Sequence, residues 1–207
     1  TKELGLLDLV STGVPDDATL IMMIGPLQAP SEPELLALDA YLARGGKLLV
    51  ALDPLGAAQL GPALEARLGL AFDAGHLTDD RSFFPARRDI GDRRWVLTSG
   101  FSAHASTTTL SRAADRSGLL LIDSGALVER PLADVATKRT FVIKSMPTAW
   151  MDRNENLGFD EALAPTAETR DRYNVAAAIE GPAQPTGDGK AAGFRAMVLA
   201  DADLLAD

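Results

Sequence analysis

One stretch limits what this chain can fold into more than any other: residues 19–54, reading TLIMMIGP, LQAPSEPELLALDAYLARGG and KLLVALDP. The outer pieces are short apolar runs closed by Gly25-Pro26 and Asp53-Pro54, as expected of strands buried on both faces of a parallel sheet. Between them a helix is marked at both ends. Ser31 takes the N-cap, Glu34 three residues on completes a capping box, and Pro33 falls in the first turn, where its missing N–H does no harm. Leu35, Leu38, Tyr41 and Leu42 form the apolar stripe, and Gly45-Gly46 stops the helix with a residue free to take positive φ. Strand, helix and strand in that order predict a βαβ unit with a right-handed crossover. Carried through residues 1–207 as one domain, the pattern predicts a three-layer α/β fold, its mostly parallel sheet flanked by helices.

Composition narrows the chemistry. The 207 residues are enough for a sizeable core, and the formal net charge of −9 argues against nucleic acid as the main partner. There is no cysteine, which removes disulfides, thiolate metal sites and cysteine nucleophiles together. With His76 and His104 as the two histidines, a site built on several imidazole ligands is excluded. No apolar run approaches the ~20 residues of a membrane helix, so any anchor is expected outside this segment. The two ends read like cuts inside a longer polypeptide.

After Asp53-Pro54, Leu60, Leu64 and Leu68 at helical spacing predict a helix within residues 57–68, capped by Gly69 and followed by a strand at Leu70-Ala71-Phe72. Residues 73–94 crowd charges with little periodicity and read as an exposed excursion, a hairpin or lid. Strands are expected at Trp95–Thr98, Gly118–Ile122 and Arg139–Lys144, with a short element over Thr107–Ala114 and a connection over Leu127–Val135. Residues 152–171 form a polar, acid-rich loop containing Asn154, Asn156 and Gly158. Tyr173–Glu180 and Phe194–Leu199 then predict a C-terminal β-hairpin elaboration, with its reversal at Thr186-Gly187-Asp188-Gly189-Lys190.

In an open α/β sheet, ligands bind beyond the carboxyl ends of the strands. That rule assembles a candidate ligand or partner crevice from Gly25, Pro26, Asp53, His104, Asp123, Asp201 and Asp203. Carboxylates there suit a hard cation, but an Asp after a strand more often caps the next turn. His104 lies among Ser102, Ser106 and threonines without the Gly-x-Ser-x-Gly elbow, which favours a loop histidine over a catalytic base. Trp95 and Trp150 suit either a sugar ring or core packing, and packing is the default. The glycines form no phosphate cradle. No catalytic residue, cofactor ligand or metal ligand is therefore assigned.

The run from the Ser-Glu capped helix through LDAYLARGGKLLVALDP resembles the GldG-like family, the gliding-motility auxiliary proteins of ABC transporters. Gly100–His104 with Thr109-Leu110-Ser111, Lys144–Trp150, the Tyr173–Glu180 strand and the closing MVLADADLL extend the likeness over most of the chain. The resemblance implies a fold akin to class I glutamine amidotransferases, or flavodoxin-like, on the extracytoplasmic side of a bacterial inner membrane. It also implies ABC transporter permease and ATPase subunits as partners, and a related domain in an intraflagellar transport protein. The expected function is a non-catalytic auxiliary domain for interaction or ligand binding, with an extracytoplasmic ligand such as a polysaccharide. The alternatives are a carbohydrate-active or other hydrolase using His104 and the strand-end acids, and a glycan-binding module using the tryptophans.

Overall fold

The structure, a computed structural model, describes residues 5–6, 8–55, 59–161, 167–182, 184–185 and 191–205. The chain begins with β1 (Ile21–Ile24), α1 (Glu32–Ala43) and β2 (Lys47–Ala51), after which α2 (Pro62–Leu68) leads into β3 (Leu70–Asp73) and β4 (His76–Thr78). Next come β5 (Trp95–Thr98), β6 (Gly100–Phe101), α3 (Thr108–Arg112) and β7 (Leu119–Ile122), then β8 (Ala126–Glu129), β9 (Lys138–Lys144) and β10 (Trp150–Asp152). The last strands are β11 (Asn174–Glu180), the short pair β12 (Gln184–Pro185) and β13 (Ala191–Ala192), and β14 (Arg195–Leu199). The expected reversal at 186–190 lies outside the described residues, as does the first part of the helix expected within residues 57–68.

The opening corner forms as its residues dictate. β1 and β2 pair in parallel, from Ile21 opposite Leu48 to Ile24 opposite Ala51. At the start of α1 the Glu34 carboxylate accepts the Ser31 backbone N–H at 2.7 Å and the Ser31 hydroxyl at 2.6 Å. Those bonds hold the Glu34 carboxyl below its ordinary value. Leu35, Leu38, Tyr41 and Leu42 are all buried, each aliphatic side chain contributing about 1.5–3 kcal/mol. The helix stops where Gly45 takes φ +87° and the Gly46 N–H reaches back to the Tyr41 carbonyl. Glycine is also required at 46 for space, because a Cβ there would meet the Tyr41 ring at 2.4 Å.

Beyond this corner the expected architecture gives way. Strand exceeds helix, 29% against 19%, and the main sheet is mixed and curled. Its order is β1-β2-β14-β11-β8-β3, with β9 also on β11 and β6 on β9. β1, β2 and β14 run parallel, whereas every other pairing in this sheet is antiparallel. The helix-flanked, mostly parallel three-layer sandwich of flavodoxin or amidotransferase type is therefore corrected. Parallel neighbours need long, usually helical crossovers, and after Leu70 the described chain offers only the five-residue α3. The strands consequently return antiparallel through short connections.

Three smaller expectations change with it. The hairpin of β11 and β14 exists, Ala176 opposite Leu199 to Glu180 opposite Arg195, but it sits in the middle of the sheet rather than as an elaboration. Register shifts between Asn174 and Ala177 bend β11, so that its first residue pairs with both Leu127 of β8 and Lys144 of β9. β1 is an edge strand and is not buried on both faces. Ile21 and Met23 pack on the core, while Met22 and Ile24 are 42% and 47% exposed. Finally, residues 73–94 are an exposed excursion only in part: Phe84–Ile90 are exposed, but β4 pairs with β10, and His76, Leu77, Thr78, Asp79 and Asp92 are buried.

Candidate functional site

The carboxyl ends of β1, β2 and β14 lie at one end of the sheet, and most of the expected crevice residues gather there. Gly25, at φ +52°, donates its N–H to the Ala51 carbonyl and stands next to Ala202, with half-buried Pro26 following. The Asp53 carboxylate accepts the Leu55 N–H at 2.8 Å, and the Leu52 N–H reaches the Leu199 carbonyl. Asp201, only 2% exposed, accepts the Asp203 N–H through Oδ1 and the Ile122 N–H through Oδ2, both at 2.9 Å. Burial outweighs these bonds and pushes its carboxyl up to about 7. Asp203 is exposed in the turn that Asp201 holds. Asp123, at φ +48°, stands 3.6 Å from both His76 Nδ1 and an Arg94 nitrogen, and the next two residues fasten to the Ala200 carbonyl.

His104 does not join this group. Gly100 begins β6 opposite Lys144 at the rim end, and from Phe101 the chain runs down the sheet, the Ser102 N–H bonding the Val142 carbonyl. β6 also lies five strand positions from β1. In its open depression, lined by Ala103, Ala105, Thr108, Ser111 and Arg112, His104 Nδ1 accepts the Ser106 N–H at 3.2 Å and lies 2.8 Å from the Ser106 hydroxyl. The imidazole thus caps its own turn, and no described carboxylate is bonded to the ring to orient it. The tryptophans are similarly committed. Trp150 is fully buried, and Trp95 stacks on Phe84 at 6.4 Å.

A second polar region, missed in the sequence, is built on β4 and β10. Asp79, fully buried, accepts the Arg81 and Ser82 N–H groups and the Thr148 hydroxyl at 2.6 Å. Asp92 similarly accepts the Arg87 and Arg88 N–H groups. Asp80 takes two bonds from Arg170, at 2.8 and 2.9 Å, and the Arg170 guanidinium lies 4.8 Å from the Trp150 ring and 4.1 Å from Phe159. Arg170 accordingly holds the Asp80 carboxyl below its ordinary value.

Next to this clamp the chain after β10 folds into a tight oxygen-rich loop. Asp152 Oδ2 accepts the Leu157 N–H at 2.9 Å, Asn154 Oδ1 accepts the Asn156 N–H, and Asn156 Oδ1 accepts the Gly158 N–H. Asp160 Oδ2 takes both asparagine amides, at 2.6 and 2.9 Å, while Glu168 Oε2 accepts the Asp160 N–H. Burial, with the nearby charges of Asp152 and Asp160, pushes the Glu168 carboxyl up. The signal that would have found this loop is the alternation of oxygen-bearing side chains at 152, 154 and 156. Among the described residues no three His, Asp or Glu side chains converge as a ready metal centre.

No family model matches the chain, and no curated protein matches it. Among solved structures it is similar to one described as the mmIFT52 N-terminal domain, with a TM-score of 0.60 and 15% identity over 93% of this chain and 69% of the other. At that identity the likeness shows a shared fold.

Proposed function

We propose that this domain is a non-catalytic interaction module, an auxiliary part of a bacterial ABC-type transport complex linked to gliding motility, held on the extracytoplasmic side of the inner membrane. The observation that carries the reading is the edge of the main sheet. β1 is hydrogen-bonded to β2 alone among the described strands, and its outer face shows Leu20, Met22 and Ile24 at 42–48% exposure. Exposed Leu27 and Leu55 stand on the loops beside it. β1 is short, four residues, but its edge is apolar, and strand addition by a partner subunit uses the open backbone and the alternate side chains together. The polar rim supports the same reading, because Asp53 and Asp201 are occupied by backbone N–H groups. The transporter assignment itself comes from the GldG-like resemblance, and permease and ATPase subunits are the partners it names. The test is co-purification from native membranes with Met22→Lys and Ile24→Lys. Transporter subunits accompany the unaltered protein and are lost with the variants; retention by both variants rules out the edge, and absence with the unaltered protein rules out the complex.

One contact favours a second reading, a hydrolase in which the Ser106 hydroxyl, 2.8 Å from His104 Nδ1, is the nucleophile. Turnover of an ester or glycoside panel that vanishes in both Ser106→Ala and His104→Ala would establish it.

A further inference from the structure

Burying a carboxylate oxygen without a partner costs several kcal/mol, so such atoms in a folded chain call for an occupant. This chain has two in one place. Asp152 is fully buried and Glu168 is 9% exposed, and Asp152 Oδ1 and Glu168 Oε1 have no hydrogen-bond partner. Both side chains are fixed by their second oxygen to the same loop, Asp152 to the Leu157 N–H and Glu168 to the Asp160 N–H. Of the neighbouring arginines, Arg93 donates to the Leu157 carbonyl and Arg153 grips Asp73, while Arg94 stands 3.6 Å from Asp123 and 4.0 Å from Glu155 with its Nε buried and unpartnered. Among the described residues no cation pairs with Asp152 or Glu168.

We propose that Asp152 Oδ1, the side-chain oxygens of Asn154 and Asn156, and Glu168 Oε1 bind a calcium ion. Calcium takes six to eight oxygen ligands in flexible geometry, and loops that bind it place oxygen-bearing side chains at alternate positions. This loop has Asp, Asn and Asn at 152, 154 and 156, and it turns tightly where Glu155 and Leu157 take φ +60°. Asp160 is the positioning residue: by accepting both amide NH₂ groups it orients the asparagine oxygens. The donors are all oxygen, which excludes a preference for soft metals. Water or backbone carbonyls complete the shell. This site is separate from the β1 edge and stands or falls independently of it.

Terbium, a calcium stand-in excited through tryptophan, gives a direct reading, because Trp150 lies two residues before Asp152. The chelator-treated protein is expected to show saturable terbium luminescence displaced by calcium and much less by magnesium, and calcium alone is expected to raise its melting temperature. Asp152→Asn and Glu168→Gln each weaken binding more than 10-fold, Asp160→Asn about 10-fold, and Asp115→Asn leaves it unchanged. Near-UV circular dichroism confirms that each variant is folded, and exposed Asn156→Ala serves if a buried variant is not. Absence of any calcium effect on the unaltered protein, or equal affinity in every folded variant, overturns the site and leaves the two oxygens to a buried water.

Discussion

The rim with its neighbouring β4/β10 region and the β1 edge are opposites. In the first, charged groups are numerous and several are tied down: Asp79, Asp92 and Asp201 each accept backbone N–H groups, and Asp80 is clamped by Arg170, while Arg94 Nε, Asp152 Oδ1 and Glu168 Oε1 are buried there without a hydrogen-bond partner. In the second, among the described strands, β1 bonds to β2 alone, and Met22 and Ile24, with Leu20 just before them, are exposed. The lesson is that clustered polar side chains resemble a reactive site until their hydrogen bonds are traced. Among the described residues, the apolar edge and the two unpartnered carboxylate oxygens point to partners instead.

The largest effect tests whether the β4/β10 region is structural. Arg170→Ala removes the partner of a part-buried Asp80 and the cation between two aromatic rings, and should cost about 3–5 kcal/mol in urea unfolding. A loss below 1 kcal/mol would mean the clamp behaves like a surface pair. Core truncation at Leu38→Ala, on the buried face of α1, is expected at about 2–5 kcal/mol by the same measurement.

Asp201 supplies the next test, through pH. Its folded carboxyl keeps a proton up to about 7, whereas its ordinary value is 3.8. The folded state therefore binds more protons than the unfolded state between those values, and this group's contribution to stability falls as pH rises through that window. Compared with Asp201→Asn, which cannot titrate, the unaltered protein should lose stability by up to about 1.4 kcal/mol per pH unit between 4 and 7, then run level. A difference independent of pH would contradict the assignment. Smaller still, Glu34→Gln should cost about 0.5–1 kcal/mol through the start of α1, seen as a slight fall in thermal midpoint. Met22→Lys should leave stability within about 0.5 kcal/mol, since its side chain is already exposed; a larger loss would show the β1 edge to be part of the core.

How much was legible in the sequence divides along the same line. Residues 19–54 announce their structure because local signals agree: a capping box, an apolar stripe whose members follow one another at helical spacing, and glycines at the helix end each depend on residues close in sequence. The direction of later strands is not written locally. Leu127 and Lys144 meet Asn174 across more than 25 residues, through a bend that no single residue marks. Polar groups mislead for the same reason, since Asp201 looks exposed in a terminal Asp-x-Asp turn until Ile122, 79 residues away, is placed against it. The strand-end rule groups Gly25, Pro26, Asp53, Asp201 and Asp203, which the structure places at one rim with Asp123 beside it, and it also groups His104. His104 lies apart, because its position depends on the antiparallel run of β6.

The measurement closest to the central claim is site-specific photo-crosslinking in native membranes, with the reactive residue placed at Met22 in one protein and at His104 in another. The β1 edge predicts a discrete crosslink from position 22 to a transporter subunit and none from position 104. A crosslink from 104 with silence at 22 would contradict it.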